Sequence, residues 1–371
     1  MERISIFQIF TLTVFLQIGT TVIFGFASPA GRDAWLAILI STIVGILVVL
    51  LHTYLFELNP DLTLVEWFPA QFGRWLGIPF AWLYPLLFLY SMGRIFSDLK
   101  ALIPSTLLPG TPPWFIVVTI LVVIMYCVFS GIEVLARFTE YLLPSLFILL
   151  IIELILLFSS GVVNLKNLLP ILGKGGGDIW KTVWPTGITQ TFGETLTLAM
   201  IWPLVKSPEK IRKVTIVATI LSGLTIASFS FMEVAVLGEG IVQHTIYPLY
   251  LLVKQIAIAD FLENLDALVA LNMVIFAYIK ATIYFFAAVR SIQLLLNIND
   301  GRSLIFPLAL VTYFWGMTMS RNITEHLYIG IKIFPLYLWM PLVIILPIVL
   351  LIVTLIRKKW SDWQNKQLQK G

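Results

Sequence analysis

The sequence predicts an all-α integral membrane protein of about ten transmembrane helices, and three observations lead to this fold class. Hydrophobic residues make up 59% of the chain and charged residues 12%, whereas soluble domains carry about 25% charged residues. The mean hydropathy is +0.96. Apolar runs long enough to cross a bilayer recur along all 371 residues. Lipid is therefore the solvent in which this chain folds.

The apolar runs divide into two sets of five. They fall near 6–26, 34–56, 78–97, 114–130 and 140–160, and then near 183–205, 212–237, 266–289, 304–319 and 334–356. The flexible sequence GKGGGD separates the sets near the chain midpoint. This division is the one that a five-plus-five inverted repeat requires.

These boundaries define a single transmembrane domain that spans residues 1–371. Residues 1–160 hold helices one to five, 161–182 form an outer loop, 183–356 hold helices six to ten, and 357–371 form a cytoplasmic tail. Short apolar stretches within 161–182 and 238–265 are predicted to form surface helices. They would serve either as a lid over a central site or as re-entrant or docking segments.

Orientation follows from the distribution of lysine and arginine, which favour cytoplasmic loops. With the N-terminus inside, the inner segments hold 14 of these residues and the outer segments hold 8. The two densest clusters, within 206–213 and 357–370, both fall on the inner side. We therefore predict that both termini are cytoplasmic.

The first and sixth apolar runs are interrupted by glycine and polar residues. Those considered as ligand contacts are Gln17, Gly19, Thr20, Thr21 and Gly25 in the first run, and Thr191, Phe192, Gly193 and Glu194 in the sixth. Glycine costs about 1 kcal/mol against alanine inside a helix. An opened helix frees backbone groups, which membranes tolerate only where they line a cavity. We expect Gly19 and Gly193 to have non-helical backbone beside one cavity. The alternative is that these glycines only allow close helix packing.

Two intramembrane charges point to the same cavity. Glu194 lies in the sixth run and Lys280 lies in the middle of the eighth. Intramembrane ionisable groups face the bundle interior and usually have partners. Lys280 is predicted to take the place of a coupling cation between helices one and eight, which would make sodium unnecessary. The alternative is a structural ion pair. Arg94 and Asp98 are interpreted as a local pair near the membrane surface.

Two aromatic residues, Tyr90 and Tyr284, are further candidate ligand contacts, with core packing as the alternative. The sequence contains no Walker A loop, dinucleotide fingerprint or nucleophile elbow. Its three histidines have no metal-ligand spacing. We therefore expect no catalytic activity, no metal site and no cofactor. The basic residues sit at helix ends, so nucleic acid is not expected as a partner.

Ordered motifs along the chain resemble one family. QIGTTVIFG followed by GRDAWLAILIS is similar to the opening of the B subunits of bacterial spore germination receptors, the GerAB/GerKB type. RIFSDLKALIPSTLLPGTPPW, FGETLTLAMIWPLVKSPEKIRK and IKATIYFFAAV follow in the family's order. The ordered set covers most of the chain, although no single motif is decisive.

The resemblance implies a fold, a function and partners. The family belongs to the amino acid–polyamine–organocation (APC) transporter superfamily, with a leucine-transporter-like (LeuT-like) five-plus-five inverted repeat and broken helices 1 and 6. Its members bind a germinant, usually an amino acid, in the spore inner membrane, together with an A-type membrane subunit and a C-type lipoprotein.

The family's functional positions map onto this sequence with two departures. The unwound first helix corresponds to Gly19–Thr21, the break in the sixth to Phe192–Glu194, and the lysine of the eighth to Lys280. Thr21 stands where some members have a second glycine, and Gly25–Phe26 where some have a proline. Two alternatives to a receptor subunit stay open, a proton-coupled amino acid permease and a membrane scaffold.

Overall fold

The computed structural model describes residues 3–173, 175–256 and 265–368, with side chains through Trp360 except that of Leu265. Lys174 and residues 257–264 of the predicted outer loops lie outside the described residues. Within the described part, the chain is helical and forms no β-sheet, apart from one isolated bridge between Ile4 and Val205.

Thirteen α-helices are described. They are α1 Ile6–Ile18, α2 Thr21–Phe24, α3 Ala34–Leu58, α4 Leu64–Thr106, α5 Pro113–Ser130, α6 Ile132–Ser159, α7 Gly176–Thr182, α8 Ile211–His244, α9 Pro248–Val253, α10 Leu265–Leu295, α11 Arg302–Thr318, α12 Ile323–Tyr328 and α13 Leu346–Leu368. Eight helical stretches among the described residues are long and apolar enough to cross a membrane. The prediction of an all-α integral membrane protein is confirmed.

The other two predicted spans are helical as well. The ninth is α11, which has 17 residues. The sixth is a π-helix over Val183–Phe192 followed by a 3₁₀-helix over Gly193–Met200. We call these two segments together the sixth span. A π-helix has wider turns than an α-helix and a 3₁₀-helix has tighter ones. The sixth span therefore changes its hydrogen bonding halfway along.

The backbone opens at the predicted position only in the first span, because the non-helical residue of the sixth span is Trp184, with φ −109° and ψ 126°. Gly19, with φ 23° and ψ −125°, ends α1, and α2 restarts two residues later. Gly193, with φ −63° and ψ −32°, keeps right-handed helical backbone. The expectation of non-helical backbone at Gly193 is wrong, because the sixth span accommodates its irregularity by changing helix type.

Two helices begin earlier than the apolar runs predicted. α4 starts at Leu64, where Thr63 and Glu66 form a capping box. Its first segment has mixed polarity, so hydropathy did not reveal it, and it turns at Gly73 with φ 76°. α6 begins at Ile132, directly after Gly131, rather than near residue 140.

The main helix pairs are five spans apart in sequence order. The second span, α3, packs extensively on the seventh, α8, and the third, α4, packs on the eighth, α10. Small residues allow close approach between these helices. At Gly223 of α8, an added Cβ would overlap Thr42 of α3, and at Gly45 of α3 it would overlap the Phe192 ring of the sixth span. This pairing agrees with a five-plus-five repeat, and the inverted repeat itself stays a prediction.

Residues predicted to share a membrane side meet at the same end of the bundle. At one end, Ile4 N donates to Leu204 O at 3.0 Å, Arg212 pairs with Glu57, and Arg357 Nη1 donates to Ala70 O at 2.8 Å. We call this the N-terminal end.

At the opposite end, Arg32 Nη2 contacts Glu239 Oε2 at 2.7 Å. Leu172 N donates to Asp33 Oδ1 at 3.1 Å nearby. The contacts therefore group the predicted inner segments together and the predicted outer segments together. That the N-terminal end faces the cytoplasm is a prediction from the distribution of charge.

Cysteine accessibility tests this orientation. In a Cys127→Ser background, a cysteine at Lys174 should react with a membrane-impermeant maleimide from outside, and one at Lys366 only after permeabilisation. The reason is the excess of basic residues on the predicted inner side. Equal labelling of both positions from one side would contradict both the orientation and the assignment of the outer loop.

Close packing at Gly45 gives a second test. Gly45→Ala should destabilise the protein by about 1–3 kcal/mol, because the new methyl group would meet the Phe192 side chain. Gly240→Ala is the matched control, since nothing lies within 4 Å of a Cβ at that position. The measurement is thermal unfolding in detergent. Equal melting temperatures for both variants would mean that the contact between α3 and the sixth span is looser than described.

Candidate functional site

A small polar cavity lies against the junction of α1 and α2. Its volume is about 80 Å³, which leaves room for a few water molecules or a small solute. The junction, α4, the sixth span, α10 and the segment 327–339 supply its walls. Its polar lining residues are Thr20, Thr21, Ser91, Arg94, Asp98, Gln190, Glu194, Lys280 and Tyr284.

An ion pair between Lys280 and Glu194 forms one wall of this cavity. Lys280 Nζ lies 2.5 Å from Glu194 Oε2, and the two side chains are only 3% and 8% exposed. The ammonium group also donates to Thr20 Oγ1 at 3.3 Å. The buried Tyr284 hydroxyl lies beside the Glu194 carboxylate. Both charges therefore face the central cavity as the sequence predicted, and they are in direct contact.

The open backbone at Gly19 makes room for Lys280. A Cβ at Gly19 would lie 2.5 Å from Lys280 Cδ, closer than real side chains approach. The positive φ of 23° also favours glycine. The Lys280 side chain therefore reaches from the eighth span to the junction of α1 and α2.

Two further charged residues, Arg94 and Asp98, line the cavity beside the ion pair. His326 Nε2 donates to Asp98 Oδ1 at 2.6 Å. Arg94 Nη2 lies 3.3 Å from His326 Nε2 and donates to His326 O at 3.3 Å. The Arg94 guanidinium lies 5.3 Å from the centre of the Phe334 ring. The interpretation of Arg94 and Asp98 as a local pair is therefore wrong, because each residue contacts the buried His326 instead of the other.

Several residues predicted as ligand contacts lie outside the cavity lining. Gln17 Nε2 donates to Thr195 Oγ1 at 2.8 Å and to Thr219 Oγ1 at 3.0 Å, which ties α1 to the sixth span and α8. Thr191 Oγ1 lies 3.5 Å from Thr21 Oγ1. These polar groups connect helices to one another.

The remaining predicted contacts have packing roles in the structure. Tyr90 contacts the ring of Phe334, with ring centres 5.0 Å apart. Gly25 is left-handed, with φ 52°, and packs beside Pro248. Phe192 fills the space above Gly45, and a Cβ at Gly193 would lie 2.8 Å from Val343 Cγ2. Polarity and glycine content locate the interruption of a helix, but they do not say which side chains point into a cavity.

Some lining residues were missed at the sequence level. Ser91, Arg94 and Asp98 line the cavity from one face of α4, at helical spacing. The buried Ser91 Oγ has no hydrogen-bond partner within the described part of the chain. Gln190 precedes Glu194 by one turn and donates to Gly330 O at 2.5 Å. The spacing around Arg94 and Glu194 would have indicated Ser91 and Gln190, whereas nothing in the sequence indicated His326.

The cavity contains fixed charges of both signs and hydroxyl groups, a donor set suited to a small zwitterion. Among the described residues, no group of three or more histidine, cysteine, aspartate or glutamate side chains could hold a metal ion. The fold and the cavity together define a multi-pass membrane protein with a polar site beside an interrupted first helix.

The chain belongs to the spore germination protein family, whose model matches residues 3–324. It is similar to Spore germination protein KB of Bacillus subtilis (strain 168), with 29% identity over 357 residues that cover 96% of each chain. It is also similar to Spore germination protein YndE of the same organism, with 24% identity over 334 residues and 88% of each chain. Spore germination protein XB of Bacillus anthracis is 24% identical over 262 residues, which cover 69% of this chain and 71% of that protein. The resemblance to this family is confirmed.

A double-mutant cycle tests the coupling of Lys280 and Glu194. Lys280→Met should destabilise the protein by about 3–5 kcal/mol, because it leaves a buried carboxylate without its charged partner. The double variant Lys280→Met/Glu194→Met should lose clearly less than the sum of the two single variants. Thermal unfolding in detergent provides the measurement. Additive losses would show that the two charges act independently.

Proposed function

We propose that this protein is the B subunit of a spore germinant receptor and binds a small, amino-acid-like nutrient in the central cavity. The observation that carries this proposal is the set of four charged side chains on the cavity walls, Lys280, Glu194, Arg94 and Asp98, beside the open backbone of the first helix. Family membership and the names of the similar proteins support the role in germination.

The charges of the cavity match those of a free amino acid. The ligand's carboxylate would bind the Arg94 guanidinium, whose planar fork suits carboxylates. Its ammonium group would bind Glu194 or Asp98. Glu194 and Asp98 already contact Lys280 and His326, so the ligand's ammonium would replace one of these contacts. The small volume favours a ligand with a short side chain.

Binding at this place would act on the contacts between helices. A ligand at Thr20 and Thr21 touches the junction of α1 and α2, and Lys280 links this junction to the sixth span. In this proposal the helix bundle has two arrangements in equilibrium. If the ligand's ammonium draws Glu194 away from Lys280, the free-energy difference between these two arrangements changes. A ligand can shift such an equilibrium only through contacts that differ between the arrangements.

In this proposal Lys280 stands where a sodium-coupled protein would place a cation. The nutrient response should therefore persist without sodium. The protein would act in the spore inner membrane with an A-type membrane subunit and a C-type lipoprotein, and these would convert the movement into germination. The runner-up function is a proton-coupled amino acid permease, since the same cavity could release its ligand to the other side.

Germination assays with matched variants test the site. In spores whose only copy is Arg94→Gln or Glu194→Gln, the nutrient concentration for half-maximal response should rise at least about tenfold, because a hydrogen bond to a charged group contributes about 1.5–3 kcal/mol. Glu153→Gln is the control, since Glu153 is also a buried carboxylate, 5% exposed, but does not line the cavity. Protein levels are measured in parallel by immunoblot.

An unchanged response in both cavity variants at normal protein level would exclude binding at this site. Uptake of labelled amino acids into proteoliposomes separates the two functions. Sustained uptake driven by a proton gradient would favour the permease. Saturable binding without uptake, together with loss of germination in a deletion strain, would favour the receptor subunit.

A further inference from the structure

A second, larger cavity lies at the N-terminal end of the bundle. Its volume is about 710 Å³, and it shares no lining residue with the central cavity. Arg290 of α10 lines it, roughly 15 Å along the helix from Lys280 at 1.5 Å per residue. The charge distribution predicts that this end faces the cytoplasm.

Four basic side chains converge on this second cavity from separate parts of the chain. Arg3 precedes α1, Lys206 follows the sixth span, Arg290 lies near the end of α10, and Arg302 begins α11. Two carboxylates, those of Asp61 and Asp300, also line it. Cationic side chains therefore outnumber anionic ones two to one.

The basic groups keep free hydrogen-bonding capacity. Within the described residues, none of the four pairs with a carboxylate at 4.0 Å or less. Arg290 Nη1 donates to the Gln293 amide at 3.0 Å, and the Arg302 guanidinium lies 4.6 Å from the centre of the Phe129 ring. A guanidinium has five N–H donors, so most of these donors are open to a ligand.

One of the two carboxylates is already engaged. Asp300 Oδ1 accepts a hydrogen bond from the Arg302 backbone N–H at 3.0 Å, at the start of α11. It therefore holds the helix terminus, and only Asp61 opposes the four cations without such a role in the structure. The cavity has an excess of positive charge that its own lining does not neutralise.

Basic residues are common at the cytoplasmic ends of membrane helices. Many of them only face water and bind no ligand. Others at this same end show a different pattern. Arg212 pairs with Glu57, and Arg357 donates to the carbonyl oxygens of Ala70 and Gln71 at 2.8 Å. Arg212 therefore has a carboxylate partner and Arg357 has two carbonyl partners, whereas the four cavity residues have no carboxylate partner in the described part of the chain and line one concave space together. Like charges gathered in this way repel one another unless an anion lies between them.

We propose that this second cavity binds a phosphate-bearing anion, either the headgroup of an anionic phospholipid or a soluble phosphate compound. Arginine recognises phosphate with two parallel hydrogen bonds, and the cavity provides three arginines and a lysine. Phe129, which is 52% exposed, lies under the Arg302 guanidinium at the edge of the cavity. This exposed ring offers a lipid headgroup access from the bilayer, and the volume leaves space for a soluble ligand.

The bound anion would stabilise the contact between the segment before α1 and the segment after the sixth span. Leu204 and Val205 line the cavity, and Ile4 bonds to Leu204 O and to Lys206 N on either side of Val205, at 3.0 Å each. An anion between Arg3 and Arg290 would hold this junction against α10. Binding itself does not depend on the germinant site. A regulatory effect on the response would rest on the function proposed above.

The experiment uses the purified full-length protein and has two arms. In detergent, the protein is titrated with inorganic phosphate against chloride at matched ionic strength, and the melting temperature is recorded. In nanodiscs, phosphatidylcholine alone is compared with phosphatidylcholine containing phosphatidylglycerol. The variants are Arg290→Gln/Arg302→Gln and, as a milder change at an exposed site, Lys206→Gln. Lys213→Gln removes an exposed charge at the same end outside the cavity.

Stabilisation by phosphate beyond chloride indicates a soluble ligand, and stabilisation by phosphatidylglycerol alone indicates a lipid. In either case the double variant should need about tenfold more ligand, since each lost charged hydrogen bond weakens binding severalfold. Lys206→Gln should show a smaller shift and Lys213→Gln none. Equal responses in wild type, the double variant and Lys206→Gln, or no stabilisation in either arm, would overturn the proposal.

Discussion

The centre of this protein depends on one buried contact, that between the Lys280 ammonium and the Glu194 carboxylate. Each charge alone would be costly at this depth in the bundle, and together they are acceptable only with close geometry and further polar groups nearby. Thr20 and Tyr284 provide such groups. The contact also determines local backbone, because the stem of Lys280 occupies the space that a side chain at Gly19 would need. The end of α1 is thereby linked to a residue on α10.

Polar contacts between helices stabilise a bundle that is surrounded by lipid. Apolar side chains gain little by leaving lipid for a neighbouring helix, so packing and interhelical hydrogen bonds hold the bundle together. Thr11 bonds to Thr139 at 2.8 Å and joins α1 to α6. Ser97 bonds to Ser320 at 2.8 Å beside the outer part of α4. Gln17 joins three spans. The polar residues of the interior therefore divide into those that connect helices and those that face a cavity.

The sixth span and α10 connect the two cavities physically. Both helices line the central site with charged residues, and the end of α10 and the residues that follow the sixth span line the second cavity. The sixth span changes from π-helix to 3₁₀-helix close to Glu194, and such changes of helix type often occur at functional positions. The segment that contains Glu194 therefore leads directly to Leu204 and Val205 at the second cavity.

The sequence alone identified lipid as the solvent of this protein, its all-α class and its family. Hydropathy and length identify spans because backbone groups in lipid must be satisfied within the helix. Gly19, Glu194 and Lys280 were identified because glycine and charge are costly inside a membrane span. These are local properties, which each segment carries independently of its neighbours.

The tertiary structure decided which polar residues meet. His326 reaches Asp98 and Arg94 across more than two hundred residues of chain, and neither its identity nor its spacing marked it. Gln17 and Thr191 turn towards other helices, while Ser91 and Gln190 line the cavity. Gly193 keeps helical backbone, and Val343 leaves no room there for a larger side chain. The direction of a side chain depends on the rotation of its helix against the others, and only packing between distant segments fixes that rotation.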